Sequence, residues 1–352
     1  MSKLDDARKI INDCDKELID LFKKRFVASK MVAEYKKENN IPILDKTRED
    51  EIIKKNLETL FDKELEVYFK DFYLKLLDVS KQYQNNINGL KFGLIGEKLS
   101  HSYSPLIHNL LFKLKGINAT YDLIEVTENE LEKIVNKVRN YEYQGFNVTI
   151  PYKVKIMDYL DVIDAPAAKI GAVNTIYMRD GLIHGTNTDY FGFIDELRFY
   201  NINVFNKDVY VLGNGGASKA CVKALEDLSA NVKIVSRTKT DNTITYDELA
   251  NIKKIDVIVN TTPVGMYPNN SESPISKIIA DKALLIVDII FNPSQTLLMS
   301  YNKNSYNGLM MLIKQAAKSE DIWLKKEYDL DYNEIYNQIK EMIWYEHIRT
   351  II

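Results

Sequence analysis

The stretch that decides the fold is Val209–Ser236, which reads VYVLGNGGASKACVKALEDLSANVKIVS. An apolar strand, a glycine turn, a helical pattern and a second apolar strand follow one another within the length of one βαβ unit. Glycines let the backbone approach a pyrophosphate, and a helix N-terminus directs amide hydrogens at it. We therefore predict a Rossmann nucleotide-binding domain, although Ser218 replaces the third glycine of the usual pattern. A tight turn of purely structural origin is the alternative.

The tip of the second strand indicates which dinucleotide binds. NAD-binding units usually place an acid about 20 residues after the turn, where it holds the ribose 2′-hydroxyl. Here the strand ends in Ser-Arg-Thr-Lys, and a guanidinium, an ammonium and two hydroxyls suit a 2′-phosphate instead. We predict NADP as the cofactor, and an ordinary solvated loop is the alternative. The predicted cofactor residues of this unit are Gly213, Gly215, Gly216, Ala217, Ser218, Ser236, Arg237, Thr238 and Lys239.

The composition is that of an ordinary soluble protein. The 352 residues carry a net charge of −3, with 45% hydrophobic and 28% charged residues. This balance is typical of two or three globular domains and argues against nucleic acid as a partner. We find no signal-peptide core and no apolar run that could cross a membrane. Cys14 and Cys221 are predicted to be core residues and not a disulfide. We expect a cytoplasmic protein with small-molecule substrates, no membrane partner and no metal site.

A heptad pattern occupies the N-terminus. No Gly or Pro interrupts it before Pro42, so it predicts one helix of about 35 residues, roughly 50 Å long. Such a helix is longer than a domain of about 90 residues is wide, and a second copy of the chain is its expected partner. Two more helices are predicted at 46–60 and 63–83, followed by a polar linker at 84–89. The apolar or small residues of the heptad are Leu4, Ala7, Ile11, Cys14, Leu18, Leu21, Ala28, Val32 and Tyr35.

Several charged residues disturb this helical region. Arg25 stands where the apolar pattern should continue, and a cation there is costly unless it is paired. Lys36 lies about three turns further on nearly the same face. Arg8 is about 100° away from the Arg25 stripe and is expected to serve a different pocket, that of a partner subunit. Converging cations in a bundle indicate a site for a small polyanion. The predicted pocket residues are Arg8, Arg25, Lys36, Asp45, Arg48, Glu49, Ser80 and Gln84.

This segment resembles the all-helical chorismate mutase family, because the spacing of those eight residues agrees with that family's active site. The resemblance implies an intertwined homodimer through the N-terminal helices. Chorismate rearranges to prephenate without proton transfer, so holding the compact conformer and stabilising charge at the ether oxygen can suffice. The implied catalytic residues are Arg25, Lys36 and Gln84. The alternative is a bundle that only dimerises the chain or senses a regulator.

The same resemblance implies a role for each pocket residue. The three arginines bind the substrate carboxylates, and Glu49 binds the substrate hydroxyl. Lys36 and Gln84 donate hydrogen bonds to the ether oxygen, with Asp45 and Ser80 in support.

The segment 90–200 alternates strand and helix patterns, which predicts an α/β layer with a site at the ends of its strands. Ser104 reads as the N-cap of a helix and Pro105 as its first residue, and Thr127–Glu130 reads as a capping box. Two charged residues, Lys153 and Asp189, stand among hydroxyls and amides that suit a polyhydroxylated ligand. Single polar residues of this kind are usually caps or turn formers. The polar residues at the predicted strand ends are Ser102, Ser104, Asn147, Thr149, Asn174, Asn187 and Thr188.

This part of the chain resembles shikimate dehydrogenase. The blocks SHSYSP (100–105), GFNVTIPYK (145–153), GAVNTI (171–176), GTNTDYFGF (185–193) and GLMMLIKQAA (308–317) occur in that family's order. The resemblance implies reversible reduction of 3-dehydroshikimate by NADPH, with Lys153 and Asp189 as the catalytic pair. Ile289 and Gly308 would line the nicotinamide side. Phe291 stands where the family often has tyrosine, which removes one hydroxyl. The implied substrate contacts are Ser102, Ser104, Asn147, Thr149, Asn174, Phe291 and Gln315.

The two resemblances together predict a multidomain, bifunctional enzyme of aromatic amino-acid biosynthesis. An all-α mutase domain at 1–88 precedes a two-lobed α/β dehydrogenase. Its substrate domain comprises 90–190 and 309–352, and its Rossmann domain comprises 191–308. Oxidation of quinate with NAD is an alternative that the arginine at the strand tip argues against.

Overall fold

The computed structural model describes residues 2–100 and 102–351, with side chains described as far as Ile343. The N-terminal region consists of helices only. Its first helix has the predicted length, and its start is fixed by a capping box between Ser2 and Asp5. The single long helix and the second helix are therefore confirmed. The three helices are α1 Lys3–Glu38, α2 Lys46–Leu60 and α3 Glu66–Asn88.

Helix α1 packs against α3 along only part of its length. The Phe26 and Tyr83 rings meet edge to face at 5.1 Å, and the Ser29 and Ser80 hydroxyls lie 2.8 Å apart. The two helices are therefore antiparallel, because the residue number rises along α1 from Phe26 to Ser29 while that of the contacting residue on α3 falls from Tyr83 to Ser80. Much of the apolar stripe is exposed in the single chain, including Leu4, Ile11, Leu18, Leu21, Val32 and Tyr35.

Three expectations for this region are wrong. Cys14 is exposed and not a core residue, although Cys221 is buried. The third helix begins three residues later than predicted, and the expected polar linker at 84–89 is helical as far as Asn88. The reason is burial: the Gln84 and Asn85 side chains are polar, yet they are buried, so packing and not composition decides their conformation.

The first α/β layer is built on a mixed six-stranded sheet with strand order β2-β1-β3-β5-β6-β4. Only β5 runs antiparallel to its two neighbours, β3 and β6. The strands are β1 Leu90–Gly96, β2 Ala119–Glu125, β3 Gly145–Val148, β4 Val162–Ile163, β5 Thr175–Arg179 and β6 Leu182–Thr186. The helices between them are α4 Ser104–Lys115, α5 Leu131–Arg139 and α6 Ala165–Ile170, with 3₁₀ turns at Glu128–Glu130 and Lys155–Tyr159.

The capping box at Thr127 and Glu130 is confirmed, because each side chain bonds the other residue's backbone N–H. Ser104, in contrast, is the first residue of α4 and not its N-cap; Tyr103 holds that position. The physical reason is local, since the Ser102 hydroxyl already accepts a hydrogen bond from the Ser104 backbone N–H at 3.3 Å.

The second layer is a six-stranded parallel sheet with order β12-β11-β10-β7-β8-β9. The predicted glycine-turn unit forms its centre, so the Rossmann-like architecture is confirmed. The strands are β7 Asp208–Leu212, β8 Asn231–Val235, β9 Thr243–Ile244, β10 Ile255–Asn260, β11 Ala283–Asp288 and β12 Ser305–Asn307. The helices are α7 Thr188–Phe199, α8 Gly216–Asp227, α9 Tyr246–Ala250, α10 Lys277–Ala280, α11 Leu297–Ser300, α12 Leu309–Leu324 and α13 Tyr332–Ile351.

Two long helices connect the layers. Helix α7 leads from the first sheet to the second, and α12 leads back, where Trp323 donates a hydrogen bond to the Ile176 carbonyl at 3.1 Å. The cores on either side are separate, one around Phe146 and one around Val209. No helix within the described part of the chain combines the length and apolar character that crossing a membrane requires.

Candidate active sites

A close ion pair lies at the point where the first layer meets α7. Lys153 follows β3, and its backbone carbonyl accepts a hydrogen bond from the Val173 N–H at 2.7 Å. Asp189 lies in the first turn of α7, which the Asn187 side chain caps. The Lys153 Nζ and Asp189 Oδ2 atoms are 2.5 Å apart, and both side chains are largely buried. Because the two residues come from distant segments, the fold holds an ammonium and a carboxylate together in a sheltered position.

The pair opens into a cavity of about 590 Å³ between the two layers. The structure brings all nine residues predicted for the catalytic pair and the substrate to this cavity. Lys98, Tyr103, Met266 and Leu312 also line it and were not among the predicted site residues. His101 of the SHSYSP block lies outside the described residues. The predicted residues at the cavity are Ser102, Ser104, Asn147, Thr149, Lys153, Asn174, Asp189, Phe291 and Gln315.

A buried hydrogen-bond network supports the cavity's amides. The Asn147 Oδ1 atom accepts from the Tyr121 hydroxyl at 2.7 Å, and its Nδ2 donates to Thr175 and Ser319, each at 2.9 Å. The Asn174 Oδ1 atom accepts from the Thr188 backbone N–H at 2.6 Å. Burial raises the pKa of Tyr121 well above its usual range, so its hydroxyl keeps its proton and remains a donor. The network fixes the orientation of both amides.

Phe291 contributes a ring and no hydroxyl to the cavity. The ring packs edge to face against Tyr103, with the centroids 5.7 Å apart. An aromatic pair therefore lines this side of the cavity.

The glycine turn has the shape of a phosphate cradle. Gly213 adopts φ +101°, and the Ser218 hydroxyl donates to its carbonyl at 2.8 Å, so the serine closes the turn in place of the third glycine. A Cβ added to Gly215 or Gly216 would meet no protein atom within 4 Å. These glycines and Ala217 form the N-terminus of α8 and face open space, which fits a pyrophosphate.

The loop that follows β8 carries two cations, Arg237 and Lys239, which differ in their pairing. Lys239 is paired with Glu248, and Ser236 and Thr238 complete the turn. Arg237 is exposed and has no ion pair within the described part of the chain. The tip therefore suits an incoming phosphate better than an incoming hydroxyl.

Gly308 and Ile289 form a tight backbone contact in the second layer. A Cβ on Gly308 would lie 2.1 Å from the Ile289 carbonyl oxygen, so only glycine fits. The two predicted nicotinamide residues are thus neighbours, just before α12.

Asp288 lies one residue before this contact and was not predicted as special. It is fully buried and accepts hydrogen bonds from Asn260, Thr296 and the Ile290 N–H. Burial raises the pKa of Asp288 to about 6, although the three hydrogen bonds oppose the shift. Its position at the end of a buried strand is the signal that could have identified it.

The helical pocket is built where α1, α2 and α3 meet. The antiparallel register places Arg25 opposite Gln84, one turn from the Ser29–Ser80 contact. Arg25 Nη1 and Gln84 Oε1 are buried and lack a hydrogen-bond partner among the described residues. Because buried polar atoms normally have partners, this donor and this acceptor fit a polar ligand.

The other side of the pocket holds alternating charges. Lys36 donates to the Ile43 carbonyl at 2.6 Å, and Glu49 accepts from Lys81 at 2.6 Å. Burial lowers the pKa of Lys36, the positive charge of Lys81 adds to this effect, and the carboxylates of Asp45 and Glu49 oppose it. Lys81 was missed, although it adjoins Ser80 and precedes Gln84 by one helical turn.

Two predicted arginines lie apart from this pocket in the single chain. The exposed Arg48 side chain contacts Glu51 at 3.4 Å. Arg8 is exposed and lies 17 residues before Arg25 on α1, roughly 25 Å along the axis. The chain alone thus places Lys36 within electrostatic reach of Asp45 and Glu49, and Arg25 opposite Gln84 near Ser80.

The two layers, the cradle and the ion pair define a dinucleotide-dependent α/β dehydrogenase joined to a helical bundle. The family model "Chorismate mutase type II" matches residues 7–85, and "Shikimate dehydrogenase substrate binding domain" matches residues 94–176. A shikimate dehydrogenase (NADP(+)) of Clostridium beijerinckii is 43% identical over 252 residues, which are 68% of this chain and 93% of that protein. The chain belongs to the shikimate dehydrogenase family, with a chorismate mutase segment at its N-terminus.

Solved structures agree with this assignment. A chorismate mutase/shikimate 5-dehydrogenase fusion protein from Clostridium acetobutylicum is similar with a TM-score of 0.69 at 41% identity, covering 74% of this chain and 98% of that chain. A shikimate dehydrogenase in complex with NADP+ has a TM-score of 0.66 at 34% identity, covering 73% of this chain and 97% of that chain.

The buried Asp288 makes a pH-dependent contribution to stability. Its pKa is about 6 in the folded state and near 3.8 in the unfolded state, so the folded state binds the extra proton between these values. Stability is then lost as pH rises through this window. The free energy of unfolding of the wild type should fall by about 1 kcal/mol between pH 5 and 7 because of Asp288. In Asp288→Asn this part of the fall should be absent. Urea unfolding at both pH values measures it.

Asp281→Asn is the matched control, because that carboxylate lies on the surface. Parallel pH profiles for wild type and Asp288→Asn would contradict the assignment.

Proposed function

We propose that this chain catalyses two reactions: NADPH-dependent reduction of 3-dehydroshikimate to shikimate, and rearrangement of chorismate to prephenate. The observation that carries the first is the Lys153–Asp189 pair inside a cavity lined by amides and hydroxyls. The second is supported by the unpartnered buried atoms of Arg25 and Gln84 in a cation-rich pocket.

In the dehydrogenase site, Lys153 acts as the general acid. NADPH supplies the hydride when it is bound. As negative charge develops on the carbonyl oxygen at C3, Lys153 Nζ donates a proton to it, and the reverse reaction returns that proton. Asp189 holds the ammonium in position through the 2.5 Å contact.

The remaining cavity residues bind and orient the substrate. The Ser102 and Ser104 hydroxyls and Gln315 bind its carboxylate and hydroxyls, together with Thr149. The Asn147 and Asn174 amides, fixed by the buried network, add directional hydrogen bonds.

The second lobe carries the residues that would hold the cofactor. Gly213, Gly215, Gly216, Ala217 and Ser218 would hold its pyrophosphate at the N-terminus of α8. Arg237 would bind the 2′-phosphate with support from Ser236, Thr238 and Lys239, and Ile289 and Gly308 would line the nicotinamide side.

In the mutase site, binding geometry and charge perform the catalysis. Arg25 and Arg8 of the partner subunit clamp the substrate carboxylates, with Arg48 assisting, and Glu49 binds the hydroxyl. Lys36 and Gln84 donate to the ether oxygen, where negative charge builds as the bond breaks. Asp45 and Ser80 position these groups, and Arg8 reaches the site of a partner subunit.

Each proposed activity is assigned to its own part of the chain. We assign 1–88 to the mutase, 90–190 and 309–352 to substrate binding, and 191–308 to the nucleotide. The exposed apolar stripe of α1 supports a homodimer through the N-terminal helices. We also propose a cytoplasmic location.

Separate sites predict reciprocal loss of activity. Lys153→Ala should lower the dehydrogenase kcat by about 10²- to 10⁴-fold, because the general acid is removed. Arg25→Ala should lower the mutase kcat/KM by about 10- to 100-fold, because a charged hydrogen bond to a carboxylate is lost. Nicotinamide absorbance and prephenate formation measure the two rates on each variant.

Lys155→Ala and Lys24→Ala are the neighbouring controls, and each should leave both rates near wild type. Equal loss of both activities in either site variant would refute separate sites.

The strand tip predicts cofactor choice. Arg237→Ala should raise the KM for NADPH by about 10- to 100-fold and leave that for NADH nearly unchanged, because only NADPH carries the 2′-phosphate. Lys239→Ala should have a smaller effect, since that ammonium already pairs with Glu248. Initial rates with both cofactors decide the question, and an equal change for both would contradict the assignment.

The apolar stripe predicts the oligomeric state. Wild type should have twice the chain mass of 40.7 kDa by light scattering, and Ile11→Glu should give a monomer with little mutase activity. Lys16→Glu introduces the same side chain on the polar face, at a lysine paired with Asp13. This control should remain dimeric; a wild-type monomer with full mutase activity would exclude the dimer.

A further inference from the structure

Lys81 is a buried cation at the junction between the helical bundle and the first α/β layer. It lies on α3, and only 7% of the residue is exposed. Its ammonium is 2.6 Å from Glu49 Oε1, the carboxylate assigned to the chorismate hydroxyl. A buried ammonium is stable only when its charge is compensated, so Glu49 and Lys81 depend on one another.

The other side of Lys81 is covered by the α/β layer. The Lys81 Nζ atom lies 5.0 Å from the centre of the Tyr141 ring, a cation–π distance. Tyr141 follows α5 with φ +62°, and its hydroxyl donates to Asp78 Oδ1 on α3 at 2.5 Å. Tyr141, which belongs to the α/β layer, is thereby held in contact with Lys81 of the helical bundle.

Charges of the helical bundle also act on Tyr141 in the α/β layer. Burial and the Asp78 carboxylate raise the pKa of Tyr141, and the negative charge of Glu49 adds to that shift. Glu49 also acts on the pKa of Lys36. If Lys81 did not hold Glu49, the carboxylate would be free to turn to Lys36, the group assigned to the ether oxygen.

We propose that Tyr141 is a positioning residue of the chorismate site. Its ring holds Lys81 in place, and Lys81 holds Glu49 toward the substrate hydroxyl while leaving Lys36 available. The dehydrogenase half thus supplies part of the support of the mutase half. This inference rests on the mutase function proposed above.

The test is a double-mutant cycle in the full-length protein, with chorismate as substrate. Tyr141→Leu removes the ring and should raise the KM for chorismate about threefold to tenfold, the range of a partly buried cation–π contact. Tyr141→Phe retains the ring and should restore most of the affinity. Lys81→Met should raise the KM by at least about tenfold, because Glu49 loses a charged hydrogen bond.

The double variant separates positioning from general destabilisation. If Tyr141 acts through Lys81, then Tyr141→Leu should have almost no further effect in the Lys81→Met background. Tyr143→Leu is the control, since Tyr143 lies two residues away and contacts Asp122 and Lys137 instead. It should leave the KM for chorismate unchanged, and the dehydrogenase rate monitors folding of every variant.

Additive losses in the cycle, or a Tyr141→Leu variant with the wild-type KM, would overturn the inference. A wild-type protein without chorismate turnover would overturn the mutase function itself, and this inference with it.

Discussion

The dehydrogenase half depends on the close packing of α7 against α12. Gly192 makes it possible: a Cβ there would lie 2.7 Å from the Met311 carbonyl oxygen and 2.9 Å from Gln315 Cβ. Asp189 lies in the first turn of α7 and Gln315 lies on α12, so this helix contact sets the positions of a residue proposed for catalysis and a residue proposed for substrate binding. The same helices carry the chain out to the nucleotide lobe and back. The cavity lies between the two lobes that these helices connect.

Both sites contain buried charged side chains, and the two sites compensate these charges differently. Each places charges where water is scarce, and such charges need partners. The dehydrogenase site pairs Lys153 with Asp189 and leaves the ammonium facing the cavity. The mutase pocket pairs Lys81 with Glu49 and leaves a donor of Arg25 without a partner in the described chain. The first arrangement suits proton transfer, and the second suits binding an anion.

Local patterns predicted the architecture well. The glycine turn, the long α1 and the capping box at Thr127 follow from backbone and side-chain preferences within a few residues of one another. The dehydrogenase cavity was also predictable, because its residues belong to contiguous motifs. Those parts of the fold and site could be derived from sequence alone.

The features that sequence reasoning missed arise from contacts between distant segments. Lys81 looks like a solvated helix charge until Tyr141 covers it. Asp288 looks like an ordinary strand end until burial raises its pKa. The polar residues before Asn88 look like a linker until packing buries two of them. Local composition carries no information about which surface will cover a residue.

The most direct measurement is the effect of Gly192→Ala on both activities of the full-length protein. A displaced helix should lower the dehydrogenase kcat/KM by about 100-fold or more and leave the mutase rate unchanged. Arg198→Ala, at an exposed position of the same helix, is the control and should leave both rates near wild type. Wild-type dehydrogenase activity in Gly192→Ala, or equal loss of both activities, would contradict this account.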